Sequence, residues 1–238
     1  MPTQLDVCLA QPTPPPRTDL PRPPQFAHAL LTSPHWARWQ GEAPTLHIRF
    51  LDGHPYIHDA VKQVARTWTD YADIHFRFAD ELGTQPDLYE IRISFAGLGA
   101  NSYVGVQALD IPQDQKTMNL QIDPTTNETV FRRTVLHEFG HALGLVHEHQ
   151  NPAKGIPWNK AAVYDYYEDT YGWPAKMVDD NVFAYYEVDH VYASEFDPQS
   201  IMLYAIPPQL THDGHSVDWN NELSEFDKKH IAALYAPD

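Results

Sequence analysis

The stretch HEFGHALGLVHEHQNP, residues 137 to 152, constrains this chain more than any other. His137 and His141 are four residues apart, so on an α-helix they lie about 40° apart on one face, one turn above the other. Two imidazoles placed so can reach one ion, and Glu138 is directed to the same neighbourhood. His147 comes ten residues after His137. In an unbroken helix it would sit roughly 15 Å along the axis and about 80° off that face. Gly144 resolves the conflict, because glycine turns readily to positive φ, letting the helix end and the chain double back. The third imidazole is then delivered from below. His149 has no comparable geometric reason to join the set. Three neutral imidazoles suit one zinc ion in a tetrahedral site whose fourth position stays open for water. Glu138 is not expected as a ligand: it lies beside that water, takes its proton as a carbonyl is attacked, and passes it to the leaving amine.

HExxH alone recurs by chance on ordinary helices; the glycine and the third histidine at this spacing make the pattern specific. With His137, Glu138, His141, Gly144 and His147 in place, the sequence resembles the metzincin zinc endopeptidases, whose signature is HExxHxxGxxH followed by a methionine turn. The turn is matched at DPQSIMLYA, with Met202 as its methionine. Within the metzincins the chain is most similar to the astacins, and the matrixin-like bacterial enzymes come second. Glu148 directly after the third histidine is the astacin choice, and HEHQNP reads like the astacin continuation. SIMLY resembles their SxMxY and puts Tyr204 at their zinc-linked tyrosine. NSYVG (101–105) matches their edge strand, and LSEFDKKHIAALY (223–235) their C-terminal helix. The likeness runs from about residue 41 to 238 and is poor from 160 to 195. One departure is chemical: astacins carry structural disulfides, whereas the single cysteine here, Cys8, cannot pair internally.

The resemblance implies an α+β fold: a metzincin-like (zincin) catalytic domain, with a mixed twisted sheet, two long helices above it, an irregular, partly helical lower lobe, and a cleft between. The residues support the same architecture. TLHIRF (45–50) alternates as a strand does, YIHDAVKQVARTWTDYA (56–72) puts Ile57, Val61, Val64 and Trp68 on one helical face, and IHFRFAD and YEIRISFAG are further strands. NSYVGVQAL and TMNLQID (117–123) are expected as strands, and TVFRRTVLHEFGHALGL as a helix whose Val135, Leu136, Phe139 and Leu143 are core. Two later helices are expected with Asn159 and Ser224 as caps. The first 34 residues hold nine of the 21 prolines, so residues 1–40 are read as a proline-rich arm, a possible prosegment, and 41–238 as the catalytic domain.

Composition excludes several function classes. A formal net charge of −16 repels phosphate backbones, and no basic stripe carries interleaved aromatics, so nucleic acid is not an expected partner. No apolar run approaches the ~20 residues that cross a membrane. The N-terminus does not read as a secretory signal, which leaves localisation open between the cytoplasm and export without a cleaved signal. A monomer is expected.

The function implied is zinc-dependent hydrolysis of peptide bonds within an extended polypeptide. The rim formed by Ser102, Tyr103 and Val104 would offer unpaired backbone groups to which substrate adds as a strand. Met202 would form an apolar floor under the histidines without ligating. Tyr204 would steady the oxyanion, with a buried structural tyrosine as the alternative. Glu148 is ambiguous: in astacins it meets the buried N-terminus of the mature chain, and here an arm precedes the domain. Two other functions stay open, hydrolysis of a cell-wall amide and an inert zinc-containing binding module. In a latent enzyme, Cys8, or in its place Asp6 or Asp19, could fill the open zinc position, although a free thiol on the leader is the simpler reading.

Overall fold

Alternation of apolar and polar residues builds the sheet. In the computed structural model, which describes residues 38–97, 99–151, 155–184 and 195–236, TLHIRF forms strand β1 (Thr45–Phe50), with Leu46 and Ile48 buried and Thr45 exposed. Strand β2 (His75–Phe78) repeats the pattern: Phe76 and Phe78 are buried, His75 and Arg77 exposed. Strand β3 (Ile91–Ser94) is buried on both faces. With β4 (Asn101–Ser102) and β5 (Met118–Asn119) these make a sheet of order β2-β1-β3-β5-β4, parallel except for the antiparallel edge strand β4.

Helices α1 (Pro55–Ala65) and α2 (Glu128–Ala142) cover one face. His54 caps α1 by accepting the Tyr56 N–H, and Asn127 caps α2 by accepting from Thr129 and Val130. Ile57, Val61 and Ala65 of α1 and Val135, Leu136, Phe139 and Leu143 around α2 join Leu46, Ile48, Phe76, Phe78, Ile91 and Ile93 in one core. The expected helix over 56–72 stops at Ala65, and a separate 3₁₀ turn (Trp68–Asp70) follows. The break turns Trp68 inward, where its indole N–H donates to the Leu136 carbonyl of α2 at 3.0 Å. Trp39 falls in the stretch read as arm, yet its indole is buried in this same core.

The opposite face of β3 is closed by Arg92, which is fully buried and hydrogen-bonded to no carboxylate. Its guanidinium donates to four main-chain carbonyls: Tyr89 at 2.6 Å, Gln115 at 2.7 Å, Ile111 at 2.9 Å and Ala108 at 3.2 Å. The loop between β4 and β5 is thereby held against the sheet. That loop is where the sequence and the structure differ most. The strands expected in NSYVGVQAL and TMNLQID shrink to two residues each: Gly105 turns the first into a 3₁₀ run (Gly105–Asp110), and Gln121, at φ 42°, breaks the extended run of the second. Past Ser102 the pairing continues through one bond, Tyr103 N–H to the Thr117 carbonyl at 3.0 Å.

Below the sheet lie α3 (Lys160–Tyr171), α4 (Ala175–Val178), a π-turn (Asp179–Phe183) and α5 (Glu225–Leu234). Asn159 and Ser224 cap α3 and α5 as expected. A second apolar cluster gathers Val163, Tyr167, Trp173, Val178, Val182, Phe183, Tyr204 and Leu210. The fold is thus α+β, with two long helices on one face of a mixed sheet and an irregular lower part. Among the described residues no helix is long and apolar enough to cross a membrane.

Replacing Arg92 by Met takes the donor from the Gln115 and Ile111 carbonyls, at a cost of about 1–3 kcal/mol each. Tyr89 O keeps Gln113 Nε2 at 3.3 Å, and Ala108 O keeps the Ile111 N–H at 3.4 Å. Arg92→Met should therefore lower unfolding free energy by at least about 2 kcal/mol, read from the urea midpoint. A loss under about 1 kcal/mol would show that the clamp is dispensable.

Candidate active site

Helix α2 carries His137 and His141 with ring centroids 4.8 Å apart. It ends in a Schellman motif: Gly144 N–H donates to His141 O at 2.8 Å and Leu145 N–H to Gly140 O at 2.9 Å. Gly144 takes φ 101°, a left-handed conformation open to glycine and costly for other residues. The returning chain brings in His147, and one ring nitrogen from each of the three histidines lies within 4.8 Å of the others. Gly140 has a different cause. A Cβ there would stand 2.5 Å from the Met202 sulfur and 3.2 Å from the Trp68 ring, so the methionine turn packs directly on the helix backbone.

Main-chain carbonyls set the tautomers. Nδ1–H of His137 donates to Ile201 O and that of His141 to Leu145 O, each at 2.8 Å. The Nε2 lone pairs are left pointing inward. Nε2 of His137 is buried with no hydrogen-bond partner, and Nε2 of His141 faces Nε2 of His147 at 3.1 Å. A cation resolves this convergence of basic nitrogens, and the all-imidazole set suits zinc. Burial holds His137 down to about 4; burial and the neighbouring His137 hold His141 to about 3; burial also depresses His147 well below 6.5. All three are therefore neutral, as ligation requires.

Glu138, next along α2, is 1% exposed. It lines a pocket of about 330 Å³ with His137, Ala100, Arg133, Thr134, Ile201, Tyr204 and Trp219. Tyr204 is buried, its ring 4.5 Å from that of His147 and 6.3 Å from that of His137. Met202 accepts the Glu148 N–H through its carbonyl at 3.0 Å. The Glu148 carboxyl accepts from Asn151 at 3.0 Å and from the Asp197 N–H at 2.9 Å, and burial pushes it up to about 8. Ser102 and Val104 are buried and Tyr103 half-buried at the sheet edge; from this segment it is Ala100 that lines the pocket. Cys8, Asp6 and Asp19 lie outside the described residues.

Sequence reasoning missed Arg133 and Trp219, whose guanidinium and ring stack at 4.2 Å beside Glu138. Arg133 precedes His137 by one helical turn, and that spacing was the available signal. For Trp219 no local signal existed.

This sheet, with a histidine triad at the end of its second helix, defines a zinc metalloprotease of the metzincin class. No protein-family model matches the chain, and no curated protein does. Among solved structures it is similar to myroilysin at 41% identity, over 87% of this chain and 99% of that one, with a TM-score of 0.81. A second structure of myroilysin gives 41% identity over 84% and 86% of the two chains, with a TM-score of 0.61. High choriolytic enzyme 1, a hatching enzyme zinc-protease from the medaka Oryzias latipes, shares the fold at 16% identity, over 85% of this chain and 96% of that one, with a TM-score of 0.58. The chain belongs to the astacin-like metzincin zinc proteases and is a zinc metalloendopeptidase.

Five buried imidazoles, His137, His141, His147, His149 and His230, are depressed from 6.5, chiefly by burial. As pH falls through 6.5 the unfolded chain takes up protons that the folded chain refuses, so stability falls with pH. Glu148 and Asp227, raised by burial to about 8 and about 6, act in the opposite sense but are outnumbered. The Tm of the metal-free protein should accordingly drop from pH 6.5 towards pH 4; a Tm that rises over this window would contradict the burial of neutral imidazoles.

Proposed function

We propose that the chain cleaves extended polypeptides at one zinc ion held by Nε2 of His137 and His141 and by a ring nitrogen of His147. The reading is carried by one observation: three buried ring nitrogens converge beside Glu138 with their tautomers set by main-chain carbonyls. Zinc bound there supplies Lewis acidity and a water of lowered pKa. Glu138 accepts the proton of the attacking water at its carboxylate and delivers it to the nitrogen of the leaving amine. The Tyr204 hydroxyl donates to the scissile carbonyl oxygen as negative charge grows on it. Met202 supports the triad from below without ligating. The edge strand β4, with Ser102, Tyr103 and Val104, aligns the substrate backbone by strand addition. The catalytic unit begins near Trp39, which its core contains, and the proline-rich arm precedes it.

Cleavage of unfolded casein, abolished by a chelator and restored by zinc, tests the activity. Glu138→Gln keeps the size of the side chain and removes its basicity. It should retain zinc and lose about 10²–10⁴-fold in turnover. Full activity in that variant would remove Glu138 from the mechanism. Tyr204→Phe should leave zinc content and KM near their original values and lower kcat by about 10²–10³-fold. An unchanged kcat would make Tyr204 a packing residue.

A further inference from the structure

His149 is buried beside the triad but is not one of its converging nitrogens. Its Nε2–H donates to the Asn181 carbonyl in the π-turn at 2.8 Å, while Nδ1 is buried with no hydrogen-bond partner among the described residues. Its face lies on the Tyr204 ring, with centroids 4.5 Å apart and planes 23° from parallel. It also stacks with His147 at 5.2 Å and 25°, and His147 meets Tyr204 at 4.5 Å and 46°. Two imidazoles separated by Glu148 thus pack against the one phenol proposed to act on substrate. A flat ring at stacking distance restricts rotation of its neighbour, and a hydrogen-bonded tether fixes the plane of that flat ring. A tether of this kind explains a histidine where phenylalanine would fill the same space.

We propose that His149 is a positioning residue: its ring, tied to the Asn181 carbonyl, is the wall that sets where the Tyr204 hydroxyl points. The inference rests on the catalytic role proposed for Tyr204. In this reading His149 does not touch substrate and acts through that ring rather than through its stack on His147.

Two variants separate the wall from its tether. His149→Gln keeps a donor for the Asn181 carbonyl and removes the ring; His149→Phe keeps the ring and removes the donor. His149→Gln should lower kcat by roughly tenfold or more, the scale of a misplaced catalytic group, with zinc stoichiometry and KM near the original. His149→Phe should lose markedly less. In a Tyr204→Phe background, His149→Gln should cost little further; a loss that persists there would act through its stack on His147 instead. A readout independent of turnover is the fluorine resonance of 3-fluorotyrosine placed at position 204 in the zinc-loaded protein. It should move in His149→Gln, where the ring current of the imidazole is lost, and move less in His149→Phe, which keeps a ring without its tether. The inference is overturned if His149→Gln lowers kcat by the same factor with and without the Tyr204 hydroxyl, or if the resonance does not move. Should His149→Gln fail to fold, an unchanged kcat together with an unmoved resonance in His149→Phe overturns it instead, since loss of the tether would then leave Tyr204 where it was. A resonance that moves while Tyr204→Phe retains full kcat leaves the contact standing and removes the catalytic role of Tyr204, so the two failures are told apart.

Discussion

The last turn of α2 is the point on which the rest of this molecule depends. A helix leaves its final four carbonyls without intrahelical donors, and here all four are buried with the metal-site histidines around them. Each has found a donor. Gly140 O accepts from Leu145 N–H at 2.9 Å and His141 O from Gly144 N–H at 2.8 Å, both made possible by the turn at Gly144. Ala142 O accepts from the Trp39 indole and Leu143 O from the Tyr235 hydroxyl, both at 2.8 Å. The first pair is local; the second comes from the two ends of the described chain. The end of the helix is therefore satisfied only with distant segments in place. Among the described residues, satisfied main-chain groups hold this end of the helix in place.

A second set of bonds fixes the other half. Asp227, buried in α5, accepts from Ile201 N–H and Ser200 Oγ, each at 2.8 Å, and from Ser224 N–H at 2.9 Å. The carboxylate that closes the capping box of α5 thus also grips the methionine turn. From that turn Ile201 presents the carbonyl that orients His137, and Met202 fills the space Gly140 leaves. Burial pushes the Asp227 carboxyl up to about 6 while these three donors pull it down. Aligning the turn thus keeps a charged group in the interior. The chain runs from α5 through the methionine turn to α2 in three contacts, and each is a hydrogen bond to backbone or a contact with it.

Much of this was legible beforehand, for physical reasons that differ by element. The meeting of the three histidines follows from helical geometry and one glycine, which are local properties. Strands β1, β2 and β3 alternate or run apolar because they line a core, and Asn159 and Ser224 cap because their short side chains reach backbone N–H groups. What escaped depends on partners far along the chain. Gly140 is explained by Met202, His149 by Asn181 and Tyr204, and Trp39 by Ala142. The loop between β4 and β5 escaped for another reason: its shape is set by the side chain of Arg92, buried in the neighbouring strand, and no periodicity records that.

The Arg92 clamp differs from the surface ion pairs in one respect. Arg66 with Glu81 and Arg132 with Glu222 each depend on a carboxylate that acid neutralises. The four carbonyls around Arg92 do not titrate, and a guanidinium stays charged at every pH a protein meets. Burial also keeps counter-ions away, so salt has little to screen. The loop between β4 and β5 is in this sense solvent-blind: its shape is indifferent to acidity and ionic strength, even where the acidic exterior is not.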